Sequence, residues 1–264
     1  MILDKLTAAS KKNVAADKEK VSLQEMKKRA LAAPKKEGFP FEKALSQPGL
    51  SFICEVKKAS PSKGLIAPDF PYVEIAKEYE RAGASAISVL AERDYFLGSP
   101  QYVGEIAQAV SIPVLRKDFI IDEYQIYEAR AIGAAAVLLI CAILDDATLK
   151  RFFDLADSLG LSALVEAHDE EEVQRALACG ARVIGVNNRN LKDFTVSLDT
   201  SCRLRPLVPA DKIFVAESGI KTPAHTQKLR DHGVDAVLIG ETFMRAADKK
   251  AMLQALKGES HDEG

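Results

Sequence analysis

The chain contains 264 residues, of which 47% are hydrophobic and 28% charged, enough to fill the core of one domain of about 200 to 250 residues with a short extension. Its 36 Lys and Arg residues are balanced by 38 Asp and Glu residues, and the net charge of -2 lacks the basic footprint of a nucleic-acid-binding protein. The longest near-continuous apolar run, residues 132–144, is too short to span a bilayer. We therefore expect neither a nucleic acid nor a membrane as a partner.

Residues 1–50 precede the first predicted strand and alternate lysine clusters with apolar positions such as Leu6, Val14 and Met26. This spacing predicts one or two extra helices that pack on the main domain, with the lysines on a solvated face. The start of the chain lacks the long apolar stretch and cleavage site of a signal peptide, so we expect a cytoplasmic protein. The four cysteines form no Cys-x-x-Cys pair and are expected to be reduced, partly buried thiols.

One sequence pattern recurs along the rest of the chain: an amphipathic segment, a glycine, and then a short apolar run rich in β-branched residues. The glycines are Gly83, Gly133, Gly160, Gly180 and Gly233. Each glycine is expected to end a helix in the left-handed conformation, and each run that follows is expected to be a buried strand. Helix starts are predicted at Ser99-Pro100 and Thr222-Pro223, and at Asp169 with Glu172, which resembles a capping box.

Eight strands are predicted, each followed by a helical pattern. They are residues 52–57, 86–90, 112–117, 136–140, 163–166, 183–187, 213–217 and 236–239. Strands that alternate with helices pair in parallel, and eight units over about 200 residues favour a closed (β/α)8 TIM barrel. An open doubly wound sheet remains the alternative, although no Gly-x-Gly-x-x-Gly follows a strand. The predicted organisation is a helical extension at 1–50, the barrel at 51–257 and a disordered tail at 258–264.

Charged side chains stand where the predicted strands end, which is the active-site face of such a barrel. They include Glu55 and Lys57 after the first strand, Lys117 after the third, Glu166 after the fifth and Glu217 after the seventh. Alternation along the first strand directs its two charged side chains to the same side. Lysines and glutamates that converge on one mouth perturb each other's pKa values and can act as general acids and bases. A structural network of ion pairs at the rim is the alternative.

Glycines follow the seventh and eighth strands, in Ser218-Gly219-Ile220 and Gly240-Glu241-Thr242, where barrels commonly bind phosphate through backbone N–H groups. The loop from Ser60 to Gly64 either closes over a ligand or simply connects two elements. The histidines show no metal-ligand spacing, and no Gly-x-Ser-x-Gly elbow for a serine nucleophile occurs, so we expect neither a metal nor a cofactor.

At this point the chain resembles the indole-3-glycerol-phosphate synthases of tryptophan biosynthesis. The resemblance covers residues 50 to 245 and is carried by the phrases Cys54-Glu55-Val56-Lys57-Lys58-Ala59-Ser60-Pro61-Ser62, Leu115-Arg116-Lys117-Asp118-Phe119, Leu164-Val165-Glu166-Ala167-His168, Ile184-Gly185-Val186-Asn187-Asn188-Arg189, Ala216-Glu217-Ser218-Gly219-Ile220 and Leu238-Ile239-Gly240-Glu241. The most specific of them are Glu-x-Lys-x-x-Ser-Pro-Ser and Arg-Lys-Asp-Phe. The resemblance implies a carboxy-lyase that closes 1-(2-carboxyphenylamino)-1-deoxyribulose 5-phosphate to the indole ring with loss of CO2 and water.

The resemblance also implies roles for individual residues. Lys117 is the general acid at the ketone, Glu166 acts in the dehydration, and Lys57 contacts the substrate carboxylate or serves as a second acid. Glu55 orients these groups or acts as a base, and Asn187 holds the substrate hydroxyls. The remaining residues implied to bind the substrate are Ser60, Phe96, Phe119, Arg189, Glu217, Ser218, Gly219, Leu238, Gly240 and Glu241. At Glu241 only the backbone N–H is expected to serve the phosphate, because its carboxylate would repel a dianion. Ordinary core packing is the alternative for the two phenylalanines.

Two other functions compete with this interpretation. A phosphoribosylanthranilate isomerase would share the phosphate site but commonly uses Cys and Asp, and Cys54 is predicted to point away from the mouth. A noncatalytic binder of a phosphorylated metabolite, or an assembly subunit, would not need the complete set of lysines and glutamates, which is present here. The sequence does not identify protein partners.

Overall fold

The computed structural model describes residues 2–34, 37–190 and 193–258, and its centre is a closed barrel of eight parallel strands. The strands are β1 (Ser51–Val56), β2 (Ala86–Leu90), β3 (Val114–Lys117), β4 (Ala136–Ile140), β5 (Ser162–Ala167), β6 (Val183–Asn187), β7 (Ile213–Glu217) and β8 (Ala236–Ile239). Each strand pairs with its successor, and β8 closes the barrel through pairs such as Ser51 with Ala236. The predicted TIM barrel is confirmed.

Five of the eight predicted strands have the observed bounds, and the other three, β1, β3 and β5, differ by one or two residues. The largest shift is in β3, which begins at Val114 instead of Ile112. Pro113 has no N–H for the sheet and contributes only its carbonyl oxygen, which accepts a hydrogen bond from the Ile87 N–H at 3.0 Å. The predicted loop from Ser60 to Gly64 is a small antiparallel hairpin, in which Ala59–Ser60 pairs with Gly64–Leu65.

Helices surround the barrel and cover its amino end. Their bounds are α1 (Ile2–Lys20), α2 (Leu23–Ala32), α3 (Pro40–Leu45), α4 (Tyr72–Ala82), α5 (Pro100–Ala109), α6 (Glu123–Ala131), α7 (Asp146–Ser158), α8 (Glu170–Cys179), α9 (Asp199–Leu204), α10 (Pro223–Asp231), α11 (Glu241–Arg245) and α12 (Lys249–Lys257). All five repeated glycines have the predicted positive φ, between 72° and 93°. Gly258 caps α12, and the rest of the predicted tail, 259–264, lies outside the described residues.

The predicted helix starts are confirmed, and one differs in detail. The side chains of Ser99 and Thr222 cap α5 and α10, and the Asp169 carboxylate accepts a hydrogen bond from the Glu172 N–H at 2.9 Å. In a full capping box, the Glu172 carboxylate would accept from the Asp169 N–H. It instead accepts from the His168 N–H, one residue earlier, at 2.8 Å. This difference ties the end of β5 to the first turn of α8.

The helical extension comprises three helices before β1, one more than the largest number predicted. The additional helix, α3, starts at Pro40, and its Phe41 and Leu45 are fully buried against the apolar side chains inside the barrel. It therefore closes the amino end of the barrel. The longer helices α1 and α2 attach on the side, where Val14 and Met26 pack with Tyr124 of α6.

The core has two layers, one inside the barrel and one between the barrel and the helices. Alternation in β1 separates them, because Ile53 belongs to the inner layer and Cys54 to the outer layer. Cys54 thus points away from the mouth, as predicted, and burial raises the pKa of its thiol. All four cysteines are free thiols, and three are buried. None of the described helices is both long enough and apolar enough to cross a membrane.

Candidate active site

A cavity of about 710 Å³ opens at the carboxyl end of the barrel strands. Every residue that the sequence implies as catalytic or substrate-binding lines it: Glu55, Lys57, Ser60, Phe96, Lys117, Phe119, Glu166, Asn187, Arg189, Glu217, Ser218, Gly219, Leu238, Gly240 and Glu241. The barrel brings these residues together because parallel strands direct their carboxyl ends to the same face. Their position in one cavity is an observation, and their individual roles stay predictions.

The first charged pair of the cavity comes from β1. The Lys57 ammonium donates a hydrogen bond to Glu55 Oε1 at 2.5 Å, and both side chains are largely buried. They project to the same side, as strand alternation predicts. Gly240, after β8, lies directly beside this pair, and a Cβ at that position would collide with the Glu55 carboxylate and the Lys57 ammonium. The glycine therefore provides the space that the pair occupies.

Lys117 lies between two buried carboxylates. Its Nζ is 3.5 Å from Glu166 Oε2 and 3.5 Å from Glu217 Oε2. Burial alone would lower the pKa of Lys117, but the carboxylates of Glu217, Glu166 and Glu55 raise it above its usual value. The side chain therefore carries a proton at neutral pH. An ammonium group in this position can stabilise or protonate an oxygen that gains negative charge.

The two carboxylates beside Lys117 differ in their surroundings. Burial favours the neutral form of both, but Lys117, His168 and Asn187 hold the pKa of Glu166 well below its usual value. The pKa of Glu217 is raised by burial and by the neighbouring Glu166 and Glu55 carboxylates, against the opposing effect of Lys117. Opposite pKa shifts of two adjacent carboxyls are the arrangement that lets one serve as a base and the other as an acid.

Asn187 is held in a fixed orientation at the end of β6. Its Oδ1 accepts a hydrogen bond from the Arg189 N–H at 3.0 Å, and its amide nitrogen is the side-chain donor that helps to lower the pKa of the Glu166 carboxylate. The Arg189 segment is fixed in turn by a bridge to Val196.

The turn after β7 presents backbone groups to the opposite side of the cavity. Ser218 and Gly219 both have positive φ, 70° and 82°, which aligns successive N–H groups as in anion-binding turns. Asn188 supports this turn from below, because its Nδ2 donates to the Ser218 carbonyl oxygen at 3.2 Å and its Oδ1 accepts from the Ser201 hydroxyl at 2.8 Å. These hydrogen bonds hold the turn in a backbone conformation of the kind that binds anions.

Glu241 begins the short helix α11 next to this turn. Its carboxylate lies 3.7 Å from Lys63 Nζ of the hairpin and 3.2 Å from Arg245 Nε. The carboxylate is thus engaged with two cations, which is consistent with the expectation that only the backbone N–H of Glu241 serves a phosphate.

An apolar wall completes the cavity. The rings of Phe96 and Phe119 have centroids 6.1 Å apart, and Leu238 lies at the end of β8. The loop that carries Phe96 is anchored by the buried Glu92, whose carboxylate accepts hydrogen bonds from the N–H groups of Asp94, Tyr95 and Phe96 at 2.8 to 3.0 Å. A flat aromatic group fits against such a wall.

Sequence reasoning missed several residues of the cavity. Ile2, Leu3 and Leu6 of α1 reach the mouth from the far N-terminal end of the chain, and no local pattern in the sequence signals that contact. His168 also went unassigned. It stands two residues after Glu166, so the alternation that paired Glu55 with Lys57 would have placed it beside Glu166. Among the residues that the structure describes, no group of three or more His, Cys, Asp or Glu side chains is arranged to hold a metal ion.

The fold and the cavity define a (β/α)8 barrel with charged groups and a turn of positive φ at the carboxyl end of its strands. A solved structure, 3-hexulose-6-phosphate synthase from Salmonella typhimurium, has the same fold, with a TM-score of 0.65, 14% identity and coverage of 80% of this chain and 98% of that chain. A family model described as indole-3-glycerol phosphate synthase matches residues 3–256. The chain belongs to the indole-3-glycerol phosphate synthase family.

Two relatives that carry this name are similar over nearly their full length. The indole-3-glycerol phosphate synthase of Ruminiclostridium cellulolyticum is 58% identical, over 98% of this chain and 99% of the relative. That of Endomicrobium trichonymphae is also 58% identical, over 97% of this chain and 100% of the relative. The resemblance stated from the sequence is therefore confirmed.

Proposed function

We propose that this chain catalyses the closure of 1-(2-carboxyphenylamino)-1-deoxyribulose 5-phosphate to indole-3-glycerol phosphate, with release of CO2 and water. The observation that carries the proposal is the position of Lys117, a protonated ammonium held between two carboxylates of unequal acidity inside the barrel mouth. The family membership supports the same reaction.

The cavity offers a separate binding group to each end of this substrate. The phosphate lies against the backbone N–H groups of the Ser218-Gly219 turn and the Gly240-Glu241 segment, and Ser60 adds a hydroxyl. The substrate carboxylate lies near the Lys57 ammonium, and its aromatic ring lies against Phe96 and Phe119. Fixing both ends holds the ring carbon against the ketone carbon, which removes much of the entropic barrier to ring closure.

Lys117 acts as the general acid in ring closure. The ring carbon that bears the carboxylate attacks the ketone carbon, and Lys117 delivers a proton to the ketone oxygen as the carbon–carbon bond forms. The carboxyl group then leaves as CO2, and its electron pair restores the aromatic ring. Lys57, paired with Glu55, neutralises the carboxylate before it departs.

Glu166 acts as the base in the following dehydration, in which the new hydroxyl leaves as water. Its ionised carboxylate accepts the proton that the indoline loses, while a protonated neighbour assists the departing hydroxyl. Lys117, 3.5 Å from Glu166, and Glu217, 3.5 Å from Lys117, are the protonated groups that face Glu166 across the cavity. Asn187 and Arg189 hold the substrate hydroxyls in place.

The test is fluorescence-detected turnover of the purified chain with this substrate in metal-free buffer that contains a chelator. The expected result is formation of the fluorescent indole product, abolished to background in Glu166→Gln. Binding of the substrate without turnover would contradict the proposed activity. Full activity of the Glu166→Gln variant would contradict the role of that residue.

We also propose that the enzyme works in the cytoplasm on a small sugar phosphate, without a nucleic-acid or membrane partner and without a cofactor. Its four free thiols fit a reducing compartment. The acid, base and anion-binding groups of the cavity are sufficient for a reaction that involves only proton transfer, decarboxylation and loss of water.

A further inference from the structure

His168 lies between two carboxylates immediately after β5. Its Nδ1 is 2.9 Å from Glu172 Oε2, and its Nε2 is 3.3 Å from Glu166 Oε1 on the cavity side. The side chain is 17% exposed, and Nε2 is buried without an aligned hydrogen bond among the described residues, so its contact with Glu166 is an ion pair. The imidazole thus connects the first turn of α8 with the carboxylate proposed as the base.

The position of Glu172 is fixed independently of the imidazole. Its backbone N–H donates to the capping Asp169 carboxylate, and its own carboxylate also accepts the His168 backbone N–H at 2.8 Å. Glu172 therefore holds both the backbone and the ring of His168. Rotation of the ring would break its contact with the Glu172 carboxylate.

The geometry determines the protonation state of the ring. A neutral imidazole has a proton on one nitrogen and a lone pair on the other. The lone pair of the unprotonated nitrogen would then repel the lone pair of a carboxylate oxygen. Only the imidazolium, with a proton on each nitrogen, can face both carboxylates favourably. The pKa of His168 agrees with this argument: burial alone would lower it, but Glu166 and Glu172 raise it to about 10.

We propose that His168 is a positioning residue: its imidazolium keeps Glu166 ionised and oriented, and so selects Glu166 over Glu217 as the base beside Lys117. The proposal deepens the proposed function, because it rests on the role of Glu166 in dehydration. Among the described residues, Lys117 is the only cation within 4 Å of the Glu217 carboxylate, whereas Glu166 has both Lys117 and His168. The residue that determines which carboxylate acts as the base, His168, does not itself line the cavity.

Other charges face the pair from every side. Within the barrel these are Lys117, Glu217 and Glu55, the last paired with Lys57. Behind the ring, Glu172 is accompanied by Arg175 of α8 and by the buried Cys141, whose thiol pKa is raised by burial. Lys117 contacts both Glu166 and Glu217 at the same distance, so it does not distinguish them. His168 is the cation that does.

The kinetic test compares His168→Gln with a matched control, His232→Gln. Glutamine can still donate a hydrogen bond to Glu166 but carries no charge, so the pKa of Glu166 should rise and the acid limb of the kcat profile should move to higher pH by a unit or more. Below the new limb, kcat falls about tenfold per pH unit, while KM changes less than about twofold. His232 is exposed and contacts the Lys228 carbonyl oxygen. The pH profile of kcat for the His232→Gln variant should match that of the unmodified enzyme.

A uniform fall in kcat with an unshifted profile would show a merely structural role and overturn the proposal, as would an unchanged profile and rate. A second measurement needs no variant and no substrate. In ¹H–¹⁵N correlation spectra of the labelled enzyme, the His168 ring should remain doubly protonated at about pH 8, where an exposed histidine is neutral. A neutral ring at that pH would overturn the proposal even if the proposed activity stands. A doubly protonated ring in a chain without turnover would refute the proposed function alone.

Discussion

Replacing Lys117 with methionine tests the electrostatic organisation of the site. Methionine keeps most of the length of the side chain but leaves Glu166 and Glu217 without the ammonium that lies 3.5 Å from each. At an effective dielectric constant of about 20, one such charge pair is worth roughly 4 to 5 kcal/mol, which corresponds to about 3 pKa units. Both carboxyls should therefore titrate at higher pH in the folded variant.

The sign of the effect on stability follows from linkage. In the unmodified enzyme the pKa of Glu166 is lowered, so its ionisation stabilises the fold above the unfolded value of 4.5 and loses this effect as pH falls. In the Lys117→Met variant the folded pKa rises above the unfolded value, so ionisation opposes folding as pH increases. Because the folded pKa of Glu166 is about 2 in the unmodified enzyme, the stability gap between the two proteins should shrink mainly as pH falls below about 4, and it should reach several kcal/mol, or about 10 °C in Tm, near pH 8.

Thermal unfolding followed by circular dichroism between about pH 2 and pH 8 measures this gap, and steady-state turnover at pH 7 accompanies it. We expect kcat to fall by roughly 10² to 10⁴, with a much smaller change in KM. Lys63→Met is the matched control, because that lysine lies at the same mouth but is 44% exposed beside Glu241. An exposed pair contributes roughly 0 to 1 kcal/mol, so its gap should stay small at every pH. A Lys117→Met gap that is equally flat would refute the reasoning.

Three further substitutions test, in turn, the room beside the Glu217 carboxylate, the support of the Ser218 turn, and the packing at the closed end of the barrel. Gly185→Ala places a methyl group against the Glu217 carboxylate and should lower kcat at least about tenfold with folding retained, as measured by turnover and circular dichroism. Asn188→Ala removes the support of the Ser218 turn and should raise KM and the inhibition constant of inorganic phosphate several-fold, while kcat changes little. Phe41→Ala empties the closed end of the barrel and should cost about 3 to 5 kcal/mol in urea unfolding, with kcat of the folded fraction unchanged.

The barrel was predictable because its signals are local. Five of the eight strands are apolar runs that follow a glycine, and the glycine itself ends a helix with the positive φ that other residues adopt rarely. Alternation was sufficient to bring Glu55 and Lys57 into the same cavity, and the strand ends supplied the rest of the predicted lining. The short hairpin at Ala59–Leu65 could not be predicted, because two-residue strands have no periodicity to detect.

The division of labour between the two carboxylates could not be predicted either. In the sequence, Glu166 and Glu217 look alike, since each ends a buried strand. Their difference depends on which cations and amides surround each group in three dimensions, and the ring of His168 contacts Glu166 alone. The contact of α1 with the cavity mouth could not be predicted from the sequence either, because it joins residues that are distant along the chain.

The attachment of the helical extension constrains how the chain folds during synthesis. Asp17 of α1 forms a two-point ion pair with Arg93, at 2.6 and 3.0 Å, and Lys18 contacts Asp122 at 2.7 Å. The helices that leave the ribosome first must therefore wait for almost half of the chain before they can dock. Closure waits longer still, since Ser51 pairs with Ala236 of the last strand. Until then β1 and α3 expose apolar surface, so the nascent chain depends on partial barrels, or on chaperones, to avoid aggregation.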